Sequence, residues 1–133
     1  MVLYRGGLDE TKARRAIHPI CEDERVLKGA ELLEKGDLAG FGALMFDSHE
    51  SSRNWFENSC EELDTIVDAA KAIPEVLGAR LSGGGFGGSC CLLVKPEAAD
   101  AIAAQIKQAY KTVHGDEPTC AVIMPSEGAH LVG

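Results

Sequence analysis

The feature that most constrains this chain is the glycine-rich segment 81–89, in which five of the six residues from 83 to 88 are glycine. Glycine loses more backbone entropy on folding than any other residue, so such a cluster is favoured only where the backbone needs positive φ or close approach to another group. Successive backbone N–H groups can bind an anion, so phosphate binding is one interpretation. A glycine-rich turn between two strands is the other, and composition does not separate them.

The residues around the glycines exclude three common glycine-loop families. Gly83, Gly85 and Gly88 match the G-x-G-x-x-G pattern of dinucleotide-binding folds, but that pattern requires a helix directly after the loop. Here the apolar run 90–94 follows, which is typical of a buried strand. There is no Gly-Lys-Ser/Thr of a Walker A loop, and the motifs that accompany a protein-kinase glycine loop do not occur.

Hydrophobic periodicity predicts helices in the first half of the chain. The helical pattern begins at Asp9 and is predicted to kink or break at Pro19. A second helix is predicted from about residue 22 to residue 35. Asp37 is a good N-cap for a third helix. The helical part of the chain thus spans about residues 9–73.

A capping box of Ser59 and Glu62 is predicted to begin a further helix. The hydrophobic periodicity changes near Pro74, after that helix. The strand-containing part spans about residues 75–132. Its predicted elements are strands at 77–82, 90–94 and 119–124, a short strand at 129–132, and a helix over 99–113. This order predicts one α+β domain over residues 1–133, with a small antiparallel sheet backed on one face by helices.

Charge and cysteine content limit the class of protein. The net charge of −8 argues against nucleic acid or an anionic membrane as a partner, and no apolar run is long enough to cross a bilayer. The five cysteines are odd in number and form no Cys-x-x-Cys pattern. This indicates reduced thiols in a cytoplasmic protein, and burial as small apolar residues is expected for all five.

Two polar clusters carry weaker signals of chemistry. His49 lies among serines in residues 47–53, which suggests a nucleophile, but such serines on a helix usually face solvent and no carboxylate is evident to orient the histidine. Asp64 and Asp68 are one helical turn apart, which suggests a metal site, yet nothing nearby completes a coordination sphere. A solvated helix face is the favoured interpretation of both carboxylates.

Residues 78–89, Gly-Ala-Arg-Leu-Ser-Gly-Gly-Gly-Phe-Gly-Gly-Ser, resemble the third conserved motif of the GHMP kinases in the form that galactokinases use, with conservative departures at Leu81, Ser82 and Ser89. This is the most specific resemblance in the chain.

The block 47–64 also resembles galactokinases, where Ser-His-x-Ser-Leu-Arg leads into Ser-Cys-x-Glu-Leu-Asp, although Ser52 replaces the usual leucine. With a further match inside residues 24–45, the resemblance covers nearly all of residues 12–132.

The resemblance implies a ferredoxin-like GHMP kinase C-terminal domain of an ATP-dependent sugar kinase that converts galactose to galactose 1-phosphate. In that family the N-terminal half carries the sugar-recognition motif, the phosphate-binding loop, the catalytic residues and the Mg²⁺ ligands, and none of these motifs occurs here. The resemblance therefore implies that ATP and Mg²⁺ belong to the complete enzyme, that the N-terminal half is the partner of this domain, and that the chain alone is inactive, with no catalytic or metal residue of its own.

The resemblance also implies a site segment. Its glycines would let the loop meet the phosphate-binding loop without side chains between them, with Phe86 as an apolar anchor. Arg80 is either a support beside the loop or a plain surface arginine, and both interpretations remain open. Replacing Gly85 with valine is expected to damage a complete kinase more than it destabilises this domain. The candidate nucleotide-site residues are Ser82, Gly83, Gly84, Gly85, Phe86, Gly87 and Gly88.

Two other classes of function remain. One is a non-catalytic regulatory or ligand- or partner-binding module of galactokinase-like fold. The other is a plain ferredoxin-like domain in which the loop is only a turn. Apolar surface is expected where the missing half would pack, so the isolated domain is expected to self-associate.

Overall fold

The computed structural model describes residues 9–128 and Leu131. In these residues the elements are α1 (Glu10–Glu34), α2 (Leu38–Ser51), α3 (Glu61–Lys71), β1 (Val76–Ser82), β2 (Ser89–Val94) and α4 (Ala99–His114). A π-helical turn, Ser52–Phe56, continues α2, and a 3₁₀ turn, Pro96–Ala98, precedes α4. The predicted α+β fold, with helices first and a small antiparallel sheet after them, is confirmed.

The first helix is longer than the sequence predicts. α1 runs through Pro19 without ending, so the predicted division into two helices is wrong. Contacts with α2 hold the helix on both sides of the proline: His18 Nδ1 is hydrogen-bonded to Ser51 Oγ at 2.8 Å, and Ser48 Oγ donates to Glu22 Oε2 at 2.8 Å. Tertiary contacts therefore offset the local cost of a proline inside a helix.

We expect Pro19→Ala to raise the free energy of unfolding by about 1–3 kcal/mol, because alanine restores the missing N–H donor and removes the ring from an exposed position in α1. Urea unfolding of the chain, followed by circular dichroism, measures the change. Pro74→Ala, at an exposed position outside the helices, is the control and should be neutral or slightly destabilising. A midpoint for Pro19→Ala at or below that of the parent chain would contradict the prediction.

The helix caps are partly as predicted. Asp37 is confirmed as the N-cap of α2, because its Oδ1 accepts from the Gly40 N–H at 2.8 Å. The predicted capping box is wrong: the N-cap of α3 is Cys60, which makes no side-chain cap hydrogen bond. Ser59 Oγ donates instead to Asp64 Oδ1 at 2.5 Å. The Ser59 hydroxyl is therefore used in the hydrogen bond to Asp64 and not as the cap of α3.

Within the described residues, the sheet is a two-stranded hairpin whose inner face packs on α3 and α4. β1 and β2 are antiparallel, and Ser82 is paired with Ser89 at the point where the glycine loop begins and ends. The buried core on this face comprises Val67, Ala70, Val76, Ala79, Ile102 and Ile106. α2 packs on β1 with Gly42 against Gly78, where a Cβ at either glycine would lie within 2.5 Å of the other segment's backbone.

The third predicted strand is absent from the described part of the chain. Residues 119–124 have no regular structure, and Val122, Ile123 and Met124 are exposed. A strand exists only when a neighbour pairs with its N–H and C=O groups, and β2 pairs only with β1 within the described residues. The short strand predicted at 129–132 lies outside the described residues, apart from Leu131. No helix in residues 9–128 is long and apolar enough to span a membrane.

Candidate functional site

The glycine loop joins β1 to β2 through left-handed backbone. Gly83, Gly85 and Gly87 have φ of 76°, 83° and 97°, and Phe86 between them has φ of 55°. Three of these positions are therefore ones that only glycine adopts without strain, whereas Phe86 is strained. The Gly88 N–H donates to the Gly85 carbonyl at 3.3 Å, which closes the second half of the loop on itself.

Asn58 holds the apex of the loop. Its backbone carbonyl accepts from the Phe86 N–H at 2.8 Å, and its side-chain Nδ2 donates to the Gly84 carbonyl at 3.1 Å. Asn58 is buried, and a Cβ at Gly85 would lie 2.0 Å from the Asn58 carbonyl oxygen. The glycine at position 85 is therefore required for this contact, and sequence patterns gave no sign of Asn58 as its partner.

His49 holds the beginning of the loop. Its side chain is fully buried, Nδ1 accepts from the Leu81 N–H at 3.2 Å, and Nε2 lies 3.1 Å from Asp64 Oδ1. The expectation that this cluster faces solvent is wrong, because His49, Ser48 and Ser51 are all buried. Both ring nitrogens are occupied, so His49 has no free nitrogen with which to activate a serine. Burial lowers the pKa of His49 and favours the neutral ring.

Asp64 lies in an ion-pair network rather than on a solvated face. It accepts from Ser59 Oγ and pairs with Arg53, whose Nε lies 2.8 Å from Asp64 Oδ2. The same guanidinium pairs with Asp68 through Nη2 at 2.8 Å. The hydrogen bonds that Arg53 donates to Asp68 and Asp64 raise the pKa of its guanidinium, so the arginine remains charged. Asp68 remains exposed, but the solvated-face expectation is wrong for Asp64.

The outer side of the loop is open. Phe86 is 76% exposed, so it does not anchor the loop to this chain's own core. A Cβ at Gly83, Gly84 or Gly87 would meet open space, and no described residue accepts a hydrogen bond from these three amides. Arg80, below the loop, reaches toward α1, with its Nη2 3.6 Å from Glu22 Oε2. It is therefore tied to the helical part rather than standing as a plain surface arginine.

Two cavities adjoin the loop. A small one of about 220 Å³ is lined by Arg80, Leu81, Ser82, Gly83 and Cys91. A larger one of about 810 Å³ lies between β2, α3, α4 and residues 118–123, and residues 86–88 form part of its rim. Its walls are mainly apolar, and Val122 and Ile123 are more than half exposed beside it.

The cysteines are free thiols and differ in environment. Cys91 is exposed, and the other four are only partly buried, so the expectation of burial for all five is wrong. Burial raises the pKa of Cys90 to about 12, which keeps that thiol protonated. The vicinal cysteines Cys90 and Cys91 thus have different exposure, as expected for neighbours that point to opposite faces of a strand.

Comparison with known proteins agrees with the resemblance seen in the motifs. Residues 30–112 match the GHMP kinases C-terminal family. The chain is 42% identical over 125 residues to the galactokinase of Thermotoga neapolitana, covering 94% of this chain and 36% of that protein. It is 42% identical over 122 residues to the galactokinase of Streptomyces coelicolor, covering 91% of this chain and 31% of that protein.

The solved structure of Lactococcus lactis galactokinase complexed with galactose is similar in fold, with a TM-score of 0.79 and 36% identity over 82% of this chain and 28% of that one. The chain thus spans about a third of the length of the galactokinases it matches. Because the family match covers more than half of the chain and the fold agrees, this chain belongs to the GHMP kinase family and corresponds to the C-terminal domain of its galactokinase-like members.

Proposed function

We propose that this chain is the C-terminal part of an ATP-dependent, galactokinase-like sugar kinase, in which the loop 82–88 supports the phosphate site. The observation that carries the proposal is the loop itself. Its inner side is bound by Asn58, and His49 binds Leu81 directly before it, whereas the amides of Gly83, Gly84 and Gly87 on its outer side are unpaired among the described residues. A rigid loop with free amides fits a phosphate group or the backbone of a loop that binds one.

The proposed role is one of positioning and electrostatics. Phosphoryl transfer depends mainly on alignment and charge neutralisation, so a loop can raise the rate without accepting a proton. Backbone amides can perform this role in a chain with net charge −8, because their dipoles are local and carry no net charge. The proposed nucleotide-site residues are Ser82, Gly83, Gly84, Gly85, Phe86, Gly87 and Gly88.

In this proposal the loop contacts ATP, whereas the Mg²⁺ ligands lie in another part of the kinase. The open amides fit an ATP phosphate. For Mg²⁺, no group of three His, Cys, Asp or Glu side chains in residues 9–128 is arranged to hold a metal ion, and Asp64 and Asp68 are committed to Arg53. The proposal therefore places the Mg²⁺ ligands and the catalytic residues in the preceding part of the kinase, and the chemistry of the metal would be charge neutralisation at the phosphates.

The same proposal assigns the partner. Exposed Phe86 and the apolar rim of the larger cavity would be covered by the N-terminal half of the kinase, and residues 1–133 would act as one C-terminal domain. Without that half, the exposed apolar side chains favour self-association. Free thiols at all five cysteines are compatible with a cytoplasmic protein.

A chimeric enzyme tests the function. We expect galactose-dependent ADP release when residues 9–133 replace the corresponding C-terminal third of Thermotoga neapolitana galactokinase, and no release from this chain alone, because the catalytic residues lie in the preceding part. A coupled assay with and without galactose measures both. Turnover by the isolated chain would contradict the proposal. A folded chimera that binds ATP without turnover would contradict it too and would favour the non-catalytic module.

A further inference from the structure

We propose that His49, in the last turn of α2, and Asn58, in the segment that joins α2 to α3, are positioning residues of the glycine loop that fix its beginning and its apex. Neither residue is among the proposed nucleotide-site residues. The inference deepens the proposed function and rests on it only for its consequence, since a loop that supports a phosphate site must be held in place.

The beginning of the loop is fixed by a hydrogen bond across the fold. The Leu81 N–H, two residues before Gly83, donates to His49 Nδ1 at 3.2 Å although the two residues are 32 positions apart in sequence. Leu81 and His49 are both almost completely buried. A buried N–H needs a hydrogen-bond acceptor. His49 provides that acceptor at the edge of β1, where the carbonyl of a further strand would otherwise provide it.

The tautomer of His49 follows from its partners. A backbone N–H can only donate, so Nδ1 must be unprotonated to accept from Leu81. The ring proton is then on Nε2, where it donates to Asp64 Oδ1 at 3.1 Å. Arg53 Nε, 2.8 Å from Asp64 Oδ2, holds that carboxylate in place. The chain of contacts from Arg53 through Asp64 and His49 to Leu81 thus specifies one protonation state and one ring orientation.

The apex is fixed independently. Asn58 contacts the loop through its backbone carbonyl, which accepts from Phe86, and through Nδ2, which donates to Gly84. Asn58 directly precedes Ser59, whose hydroxyl donates to the same Asp64 oxygen that faces His49. Asp64 thus contacts His49 directly and Ser59 next to Asn58, which accounts for a polar block with no catalytic arrangement beside the loop.

The contacts with His49 and Asn58 restrict the backbone conformations of the glycine loop. A loop of five glycines has more accessible backbone conformations than any other loop of its length, and free amides bind a phosphate well only if their directions are fixed beforehand. Two clamps on the inner side fix the loop without using the amides on the outer side. The positioning residues thus leave the binding face of the loop free.

Two substitutions of His49 distinguish a role in positioning the loop from a role in which the side chain only fills buried volume. Asparagine places a carbonyl oxygen near the position of Nδ1, so His49→Asn should keep the Leu81 contact. Glutamine places its amide nearer Nε2, so His49→Gln should keep only the contact with Asp64, although it fills more of the buried volume. We expect the Leu81 amide to exchange with solvent about tenfold faster in His49→Gln and within about threefold of the parent rate in His49→Asn.

NMR of the isotopically labelled chain measures these rates, with the Ile106 amide in the core of α4 as the reference for global unfolding. His18→Gln is the matched control, because His18 is a partly buried histidine on α1 whose partner is Ser51 rather than the loop, and it should leave Leu81 exchange unchanged. Asn58→Ala should lower the order of Gly84, Gly85 and Gly87 while leaving the Leu81 exchange rate as it was.

The ring nitrogen shifts of His49 in the parent chain give a readout that needs no variant to fold: we expect a neutral ring with the proton on Nε2. A proton on Nδ1, or equal Leu81 exchange in His49→Asn and His49→Gln, would overturn the proposal. These measurements require no kinase activity, so an inactive chimera with the expected NMR result would defeat the proposed function alone, and the reverse pair of outcomes would defeat the positioning alone.

Discussion

Gly42→Ala is expected to lower the free energy of unfolding by about 3 kcal/mol, the upper end of the usual cost of overpacking. A Cβ at Gly42 would lie 2.0 Å from the Leu77 carbonyl oxygen and 3.0 Å from the Gly78 nitrogen. Both are backbone atoms, so no rotamer change relieves the contact, and α2 must move away from β1. Because small domains are stable by only about 5–15 kcal/mol, this is a large fraction of the total.

Urea unfolding of the chain measures this effect, and its sign is decisive. Helix propensity alone favours alanine over glycine inside α2 by about 1 kcal/mol, so without the close contact Gly42→Ala would stabilise the chain. Gly84→Ala is the control, because a Cβ there meets open space. We expect it to change stability by no more than about 1 kcal/mol. An increase in stability in Gly42→Ala would show that α2 and β1 do not pack this closely.

The second large effect is expected at Gly85. Valine there has a φ of 83° imposed on a β-branched residue, and its Cβ would lie 2.0 Å from the Asn58 carbonyl oxygen. The Phe86–Asn58 hydrogen bond must break, which moves the apex of the loop. We expect a loss of about 2 kcal/mol in the free energy of unfolding, because the contact lies outside the core. In the chimeric kinase we expect kcat to fall about 100-fold, as for a misplacement of about 1 Å.

Ile106→Ala separates this effect from instability. Ile106 is 3% exposed in the core between α3 and α4, and its truncation costs about 2–5 kcal/mol without touching the loop. At a temperature where both variants are folded, Ile106→Ala should keep the parental kcat per folded molecule. If Gly85→Val lost no more activity per folded molecule than Ile106→Ala, the loop would have no role in the phosphate site.

The structure of the glycine loop is determined partly by its local sequence and partly by tertiary contacts. The sequence predicted a glycine loop between two strands, and the structure confirms it between β1 and β2. The sequence did not predict which glycines are constrained by space. A Cβ at Gly84 meets nothing, whereas one at Gly85 meets Asn58, and that difference depends on a segment 27 positions earlier in the chain.

Local signals were sufficient where the physics is local. The predicted Asp37 cap depends only on a hydrogen bond to the residue three positions later. The motif in residues 78–89 identified the family because its residues are contiguous in the sequence. α+β architecture and family were therefore available from the sequence alone.

Long-range contacts decided the rest. Pro19 stays inside α1 because α2 holds the helix on both sides of it, and residues 119–124 form no strand because no partner strand adjoins them within the described residues. His49 is buried because β1 brings the Leu81 N–H to it and α3 brings Asp64. A hydrogen-bond partner of a buried polar group is set by which segments pack together, and hydrophobic periodicity along one segment carries no information about that.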